Sequence, residues 1–313
     1  MTTIDVLGGE RDDLGECPLW DVRRQRLLWA DSHRGLIRSL EPASGRRRQW
    51  ALPSMIGSIA LCESSRVLAA TVDEIGLWDL PDDAEARPVR RLARVEHAAE
   101  GIRLNDGRVD RAGRFCVGSL VRARGEPRAA LYRIDAGARL EVLEQGFRVA
   151  NTLSFSPDGR WMYFADSVAR AIWRYPYYTA SGTVGPREDF IDVSPLNSGP
   201  DGATVDAEGR LWVALVLTGQ LACYAPDGRL EACLDLPVPY PTCPCFGGEE
   251  LQDLYVTSIR DSGNMLRSTH PDAGAVVVVR GTGARGLPEA RFDDRTISDE
   301  PIPTRIDSHG STF

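Results

Sequence analysis

Glu16, Asn105, Asn151 and Asp201 are oxygen-bearing side chains that recur at one phase of the sequence, each seven residues before a polar turn. Those turns fall near residues 23, 112, 158 and 208; two more, near 64 and 250, have Gly57 and Cys243 at the same phase. Two carboxylates brought together in a partly dehydrated place repel each other, and each loses hydration. A hard divalent cation removes both penalties, and Glu, Asp and Asn oxygens completed by water are ligands such an ion takes. Calcium is the first choice, with zinc or manganese as alternatives. Asn and Asp also favour turns, and Asp106-Gly107 and Asp158-Gly159 read as turn residues only.

Other chemistries are excluded. All 37 basic residues are Arg, so a Schiff-base mechanism and a P-loop, which both need a lysine amine, are ruled out. No GxSxG or HExxH occurs, and His33, His97, His270 and His309 stand far apart. Seven Cys, at 17, 62, 116, 223, 233, 243 and 245, are an odd number without framework spacing, which predicts reduced thiols and a structural role for Cys243-Pro-Cys245. The net charge of −8 argues against nucleic acid as a partner. The start MTTIDVLGGERDD lacks the pattern of a secretory signal, and no apolar run reaches the length of a membrane span. The expected location is the cytoplasm, with no membrane contact and no obligate protein partner.

The elements that must position these side chains are legible as a repeat. Six segments share an apolar strand, a polar turn and a second apolar strand: residues 18–32, 59–73, 107–120, 153–167, 203–216 and 246–259. Each is followed by a second apolar ribbon, such as AALYRIDAGA or AIWRYPYYTASG. Four strands per repeat of about 45 residues is the unit of a β-propeller blade. The predicted fold is an all-β, six-bladed propeller of four antiparallel strands per blade, forming one domain over 1–282. Residues 283–313 fall outside the pattern and are expected to be a polar tail or an extension draped on the surface. In a propeller the first strand of every blade lines the central channel, so equivalent positions face one another around the axis.

The segments LGECPLW (14–20), RLNDGRVDRAGRFCVGSL (103–120), VANTLSFSPDG (149–159), GPDGATVDAEGRLWVA (199–214) and CPCFGGEELQDLYVTS (243–258) resemble the gluconolactonase and regucalcin (senescence marker protein) family. The resemblance runs over roughly residues 10 to 281. It implies a six-bladed propeller with one divalent ion in its channel, and hydrolysis of sugar lactones. It implies Glu16, Asn151 and Asp201 as metal ligands, and Arg103 and Asn105 as substrate contacts. Three departures stand out. Cys17 and Thr152 take the place of Gly beside retained ligands. Ala123 stands near a position where some members have an acidic substrate-binding residue, with Glu126 the nearest acid.

The expected activity is metal-dependent hydrolysis of an aldonolactone to its aldonic acid, the ion polarising the carbonyl oxygen. Asp201 is the expected general base, with a hydroxide generated on the ion as the alternative nucleophile. Arg103 and Asn105 would hold the substrate. Two other functions compete: phosphotriester hydrolysis on the same propeller, and a non-enzymatic calcium-binding or interaction propeller. Arg122, Arg124 and Arg128 in VRARGEPR are expected either to form a solvated loop face or to accept an anionic group on the lactone.

Overall fold

A computed structural model describes residues 1–122, 126–263 and 265–298. Six small antiparallel sheets form a ring, a six-bladed β-propeller. The innermost strands are Gly15–Asp21, Ser58–Leu61, Ile102–Val109, Ala150–Phe155, Pro200–Val205 and Pro241–Gly247, which define blades 1 to 6 in chain order. Each packs against the next, and the last packs against the first, closing the ring. Between neighbouring blades lie six apolar cores, for example Leu28, Ile37, Ile59 and Leu61 between blades 1 and 2. Inner strands are covered on both faces, so they are buried almost throughout. The outermost strand Leu230–Asp235 instead alternates between exposed and half-buried positions.

Two features lie outside the repeat pattern. Blade 6 takes its outermost strand, Thr3–Val6, from the start of the chain, where it pairs with Val277–Arg280. That pairing joins the chain's first strand to its last and latches the ring. Blade 4 gains a fifth short strand, Thr183–Val184. Among the described residues no helix is long and apolar enough to cross a membrane.

Residues 283–298 cross the end of the propeller that carries the first hairpin turns. Ala207 N donates to Arg285 O, Gly286 N to Leu251 O, and Glu63 N to Phe292 O, touching the turns of blades 5, 6 and 2 in succession. Phe292 is fully buried in the core between blades 2 and 3. Glu289 pairs at 2.9 Å with the buried Arg108, which also donates to Ala203 O. This segment covers the channel at the end away from the strand starts.

Five inner strands carry a β-bulge near their starts, at 16/19, 104/107, 151/154, 200/203 and 241/244. A bulge bends the strand and re-aims its side chains. Residues at these bulges also join neighbouring blades. Cys17 Sγ contacts Ile59 O, Asp106 Oδ2 accepts from Leu153 N, Thr152 Oγ1 donates to Asp201 O, and Thr242 Oγ1 donates to Gly15 O.

Candidate active site

The strand starts open into a cavity of about 910 Å³. Glu16, Arg103, Asn105, Asn151 and Asp201, from blades 1, 3, 4 and 5, all line it. Gly57 and Cys243, at the same phase, do not. Their absence has a steric cause. A Cβ on Gly57 would sit 2.5 Å from the Leu104 carbonyl oxygen of blade 3, so that position cannot carry a side chain. Cys243 is packed against Gly202, where a Cβ would meet its Sγ at 2.5 Å. All seven cysteines are unpaired, and burial pushes the Cys17 thiol up to about 12, which leaves it inert at neutral pH.

A chain of hydrogen bonds orients the amides. Arg103 Nη1 donates to Asn105 Oδ1 at 2.8 Å, and Asn105 Nδ2 donates to Asn151 Oδ1 at 2.9 Å. Asn151 Nδ2 in turn donates to Ser167 Oγ at 2.8 Å, and Ser167 Oγ donates to Pro200 O at 2.6 Å. A serine hydroxyl has one hydrogen, so with that hydrogen on Pro200 its oxygen must accept from Asn151. The order of donors therefore fixes which atom of Asn151 is oxygen, and that oxygen keeps a second lone pair. Burial pushes the Arg103 guanidinium down to about 10, against the pull of Glu16, so it stays protonated at neutral pH.

Glu16 and Asp201 are the acidic pair of the cavity. Burial holds Glu16 well above the usual carboxylate range, and repulsion from Asp201 and Asp106 adds to the rise. Asp201, 7% exposed, is raised by burial and then by Asp106. Only the adjacent amides of Cys17 and Gly202 donate to these carboxylates among the described residues. The donor chemistry suits a hard cation: two under-neutralised carboxylates beside an aimed amide oxygen. Among the described residues no three His, Cys, Asp or Glu side chains come together to hold an ion, so such a site depends on Asn151 as its third protein donor.

The two replacements of Gly stand in the left-handed region, Cys17 at φ 49° and Thr152 at φ 63°. Glycine is favoured there because it has no Cβ to clash, and a β-branched residue is the least suited. Each side chain offsets the strain with its bond to the next blade.

The cavity wall also holds residues that the repeat phase did not single out: His33, Met55, Arg122, Arg148, Ser167 and Arg170 among them. Several follow the second strand of a blade. The parallel runs Asp31-Ser32-His33 and Asp166-Ser167-Val168 were the available signal, because second strands end where first strands start. Of the basic loop, Arg122 lines the cavity, Arg128 is exposed and does not, and Arg124 lies outside the described residues. Glu126 is exposed and away from the wall, and Ala123 is likewise outside the described residues.

Residues 14–260 match the family model described as SMP-30/Gluconolactonase/LRE-like region. The chain is 38% identical to a 6-deoxy-6-sulfogluconolactonase of Pseudomonas putida, over 80% of this chain and 84% of that one. It is 31% identical to a pentonolactonase of Haloferax volcanii, over 90% of this chain and 95% of the relative. The crystal structure of a calcium-binding protein, regucalcin, from Agrobacterium tumefaciens superposes with a TM-score of 0.83 at 28% identity, covering 92% of this chain and 96% of that one. With the bulged strand starts, the channel-end cavity and this match over most of its length, the chain belongs to the SMP-30/gluconolactonase/LRE-like family.

Proposed function

We propose that this protein hydrolyses a sugar lactone to the corresponding aldonic acid, using one divalent cation held by Glu16, Asn151 and Asp201. The observation behind this reading is the pair of carboxylates, Asp201 buried and Glu16 half-buried, whose raised pKa values mean that Arg103 offsets their charge only in part, beside an amide whose oxygen is aimed by the Arg103–Asn105–Asn151–Ser167 chain. Relatives named sulfogluconolactonase and pentonolactonase support the substrate class, and a relative titled a calcium-binding protein supports calcium as the ion.

When bound, the cation supplies Lewis acidity toward the lactone carbonyl oxygen. The roles of the chain's own residues follow from their chemistry. Asp201 takes a proton from the attacking water as the bond to the carbonyl carbon forms. The ring C–O bond then breaks, and the departing alkoxide oxygen takes up the proton. Arg103 and Asn105 hold the substrate's hydroxyls or carbonyl side, and their mutual hydrogen bond pre-sets them for it. Phosphotriester hydrolysis has no specific observation in its favour. A purely calcium-binding propeller would not need Arg103 buried on the cavity wall next to the acidic pair.

Acid release from a panel of aldonolactones, followed with added ion and with chelator, tests the proposal. Hydrolysis of at least one member, abolished by chelation, is the expected result. No hydrolysis in either condition would refute it.

A further inference from the structure

Blades 3 and 4 give the cavity wall three guanidinium groups, Arg122, Arg148 and Arg170, that have no carboxylate partner among the described residues. Among the described residues the Arg122 guanidinium makes one hydrogen-bond contact, to Met55 Sδ. Arg148 and Arg170 make no side-chain hydrogen bond there. Neutralisation is common elsewhere around this end of the ring: Arg34 and Arg260 both bind Asp13, and Arg38 binds Asp12 and Glu10. The acid nearest to Arg170 along the chain is Asp166, and for Arg148 it is Glu144, which pairs with Arg187. Asp166 is also hydrogen-bonded to the backbone at Arg148. Its carboxylate is occupied by three main-chain amides, Arg148 N at 2.8 Å, Val149 N at 3.2 Å and Val168 N at 3.0 Å. Asp166 therefore fixes the backbone that carries both arginines, and among the described residues it forms an ion pair with neither.

Arg170 also stands in the left-handed region, at φ 55°. It lies four residues after Asp166, where blades 1 and 5 have Gly35 and Gly219 at φ 65° and 69°. An arginine at this turn costs free energy that glycine does not, and such outliers gather at functional sites. The local turn preference is overridden, and the result is a cation on the cavity wall.

We propose that Arg122, Arg148 and Arg170 form an anion subsite that receives a negatively charged substituent of the lactone: a sulfonate, phosphate or carboxylate set away from the ester. This deepens the lactonase reading and rests on it for the identity of the bound molecule. Guanidinium groups present paired donors that match such oxyanions, and the partly enclosed wall strengthens each charge-assisted bond. The protein's net charge of −8 gives no general attraction for anions, so recognition must be local.

The test compares kcat/KM for gluconolactone with that for its 6-phospho and 6-sulfo analogues, in wild type, Arg170→Gly and Arg148→Ala. Wild type is expected to favour the anionic lactones at least tenfold. Each substitution should shrink that ratio by about ten- to hundred-fold, up to its full loss, because each removes a hydrogen bond to a charged group. Added salt should shrink it too. A wild-type ratio near one, or a ratio that neither substitution moves, would overturn the proposal. Arg170→Gly guards against misfolding, since glycine suits the left-handed turn and should melt no lower than wild type. Calorimetry with gluconate, 6-phosphogluconate and 6-sulfogluconate separates this proposal from the lactonase reading. If no lactone is hydrolysed, tighter binding of the substituted aldonates that Arg170→Gly abolishes still supports the subsite, and equal binding of all three overturns it. Inorganic phosphate that competes as well as 6-phosphogluconate would also overturn the assignment to a lactone substituent.

Discussion

Thr152 Oγ1 donates a 2.6 Å hydrogen bond to the main-chain carbonyl oxygen of Asp201, tying the bulge of blade 4 to the acid of blade 5. Thr152 lies next to Asn151 in sequence, so one residue links two proposed metal ligands. The bond is made from a left-handed backbone that a β-branched residue adopts at a cost of about 1–2 kcal/mol.

Replacing Thr152 should separate strain from bonding. Thr152→Val keeps the strained backbone and the branched shape but loses the donor, leaving a buried carbonyl unpaired. A loss of about 1–3 kcal/mol is expected in chemical denaturation. Thr152→Gly loses the same bond but relieves the strain, so it should fall within about 1 kcal/mol of wild type. Both should lower kcat by loosening Asp201. If the two variants were equally stable, strain at this position would play no part.

Asp201→Asn and Glu16→Gln remove one charge from a repelling pair with little change of shape. Without metal, both variants should melt at or above the wild-type temperature. Asp201→Asn should lose about 10²–10⁴-fold in kcat, the usual range for a general base. Glu16→Gln should lose activity mainly through weakened ion binding, so excess ion should restore part of it. Rescue of Asp201→Asn by excess ion to near wild-type rates would make Asp201 a ligand only.

The raised carboxyl groups of Glu16 and Asp201 set a pH dependence. In the unfolded chain these groups ionise near the ordinary carboxylate value of about 4. Above that pH the metal-free native state binds more protons than the unfolded state, so stability falls as pH rises toward the raised native values. A bound cation takes the place of those protons. The gain in Tm from added calcium should therefore be larger at about pH 8 than at about pH 5. Thermal melts with calcium and with chelator at both pH values check this, and a gain independent of pH would contradict it.

Phe292→Ala should cost about 3–5 kcal/mol, because the ring is fully buried between blades 2 and 3. The segment that carries it crosses the end of the channel away from the cavity, so KM for a lactone should change little. Denaturant melts and lactone kinetics on the same preparation test both statements. A neutral effect on stability would mean that residues 283–298 are not an integral part of the fold.

The propeller was legible because its signal is repeated. Apolar strands joined by polar turns return every 41 to 50 residues, and the phase of the repeat pointed to the channel. Glu16, Asn105, Asn151 and Asp201 followed from that phase, and Arg103 from the family resemblance. The outermost strand of blade 6 was not legible, since Thr3–Val6 pairs with residues more than 270 positions away and only ring closure requires it. Arg148 and Arg170 were missed because they lie in connections, where periodicity is silent. Cys17 and Thr152 were visible as departures from glycine, but their cross-blade bonds depend on a left-handed backbone that no sequence pattern displays.

The most direct test is a titration of metal-depleted protein with a divalent ion while acid release from an aldonolactone is recorded, for wild type and Asp201→Asn. The account predicts no activity without ion and a wild-type rate that rises to saturation at one ion per chain. It predicts little activity for the variant at any ion concentration. Full wild-type activity in chelator, or a variant indistinguishable from wild type, would contradict it.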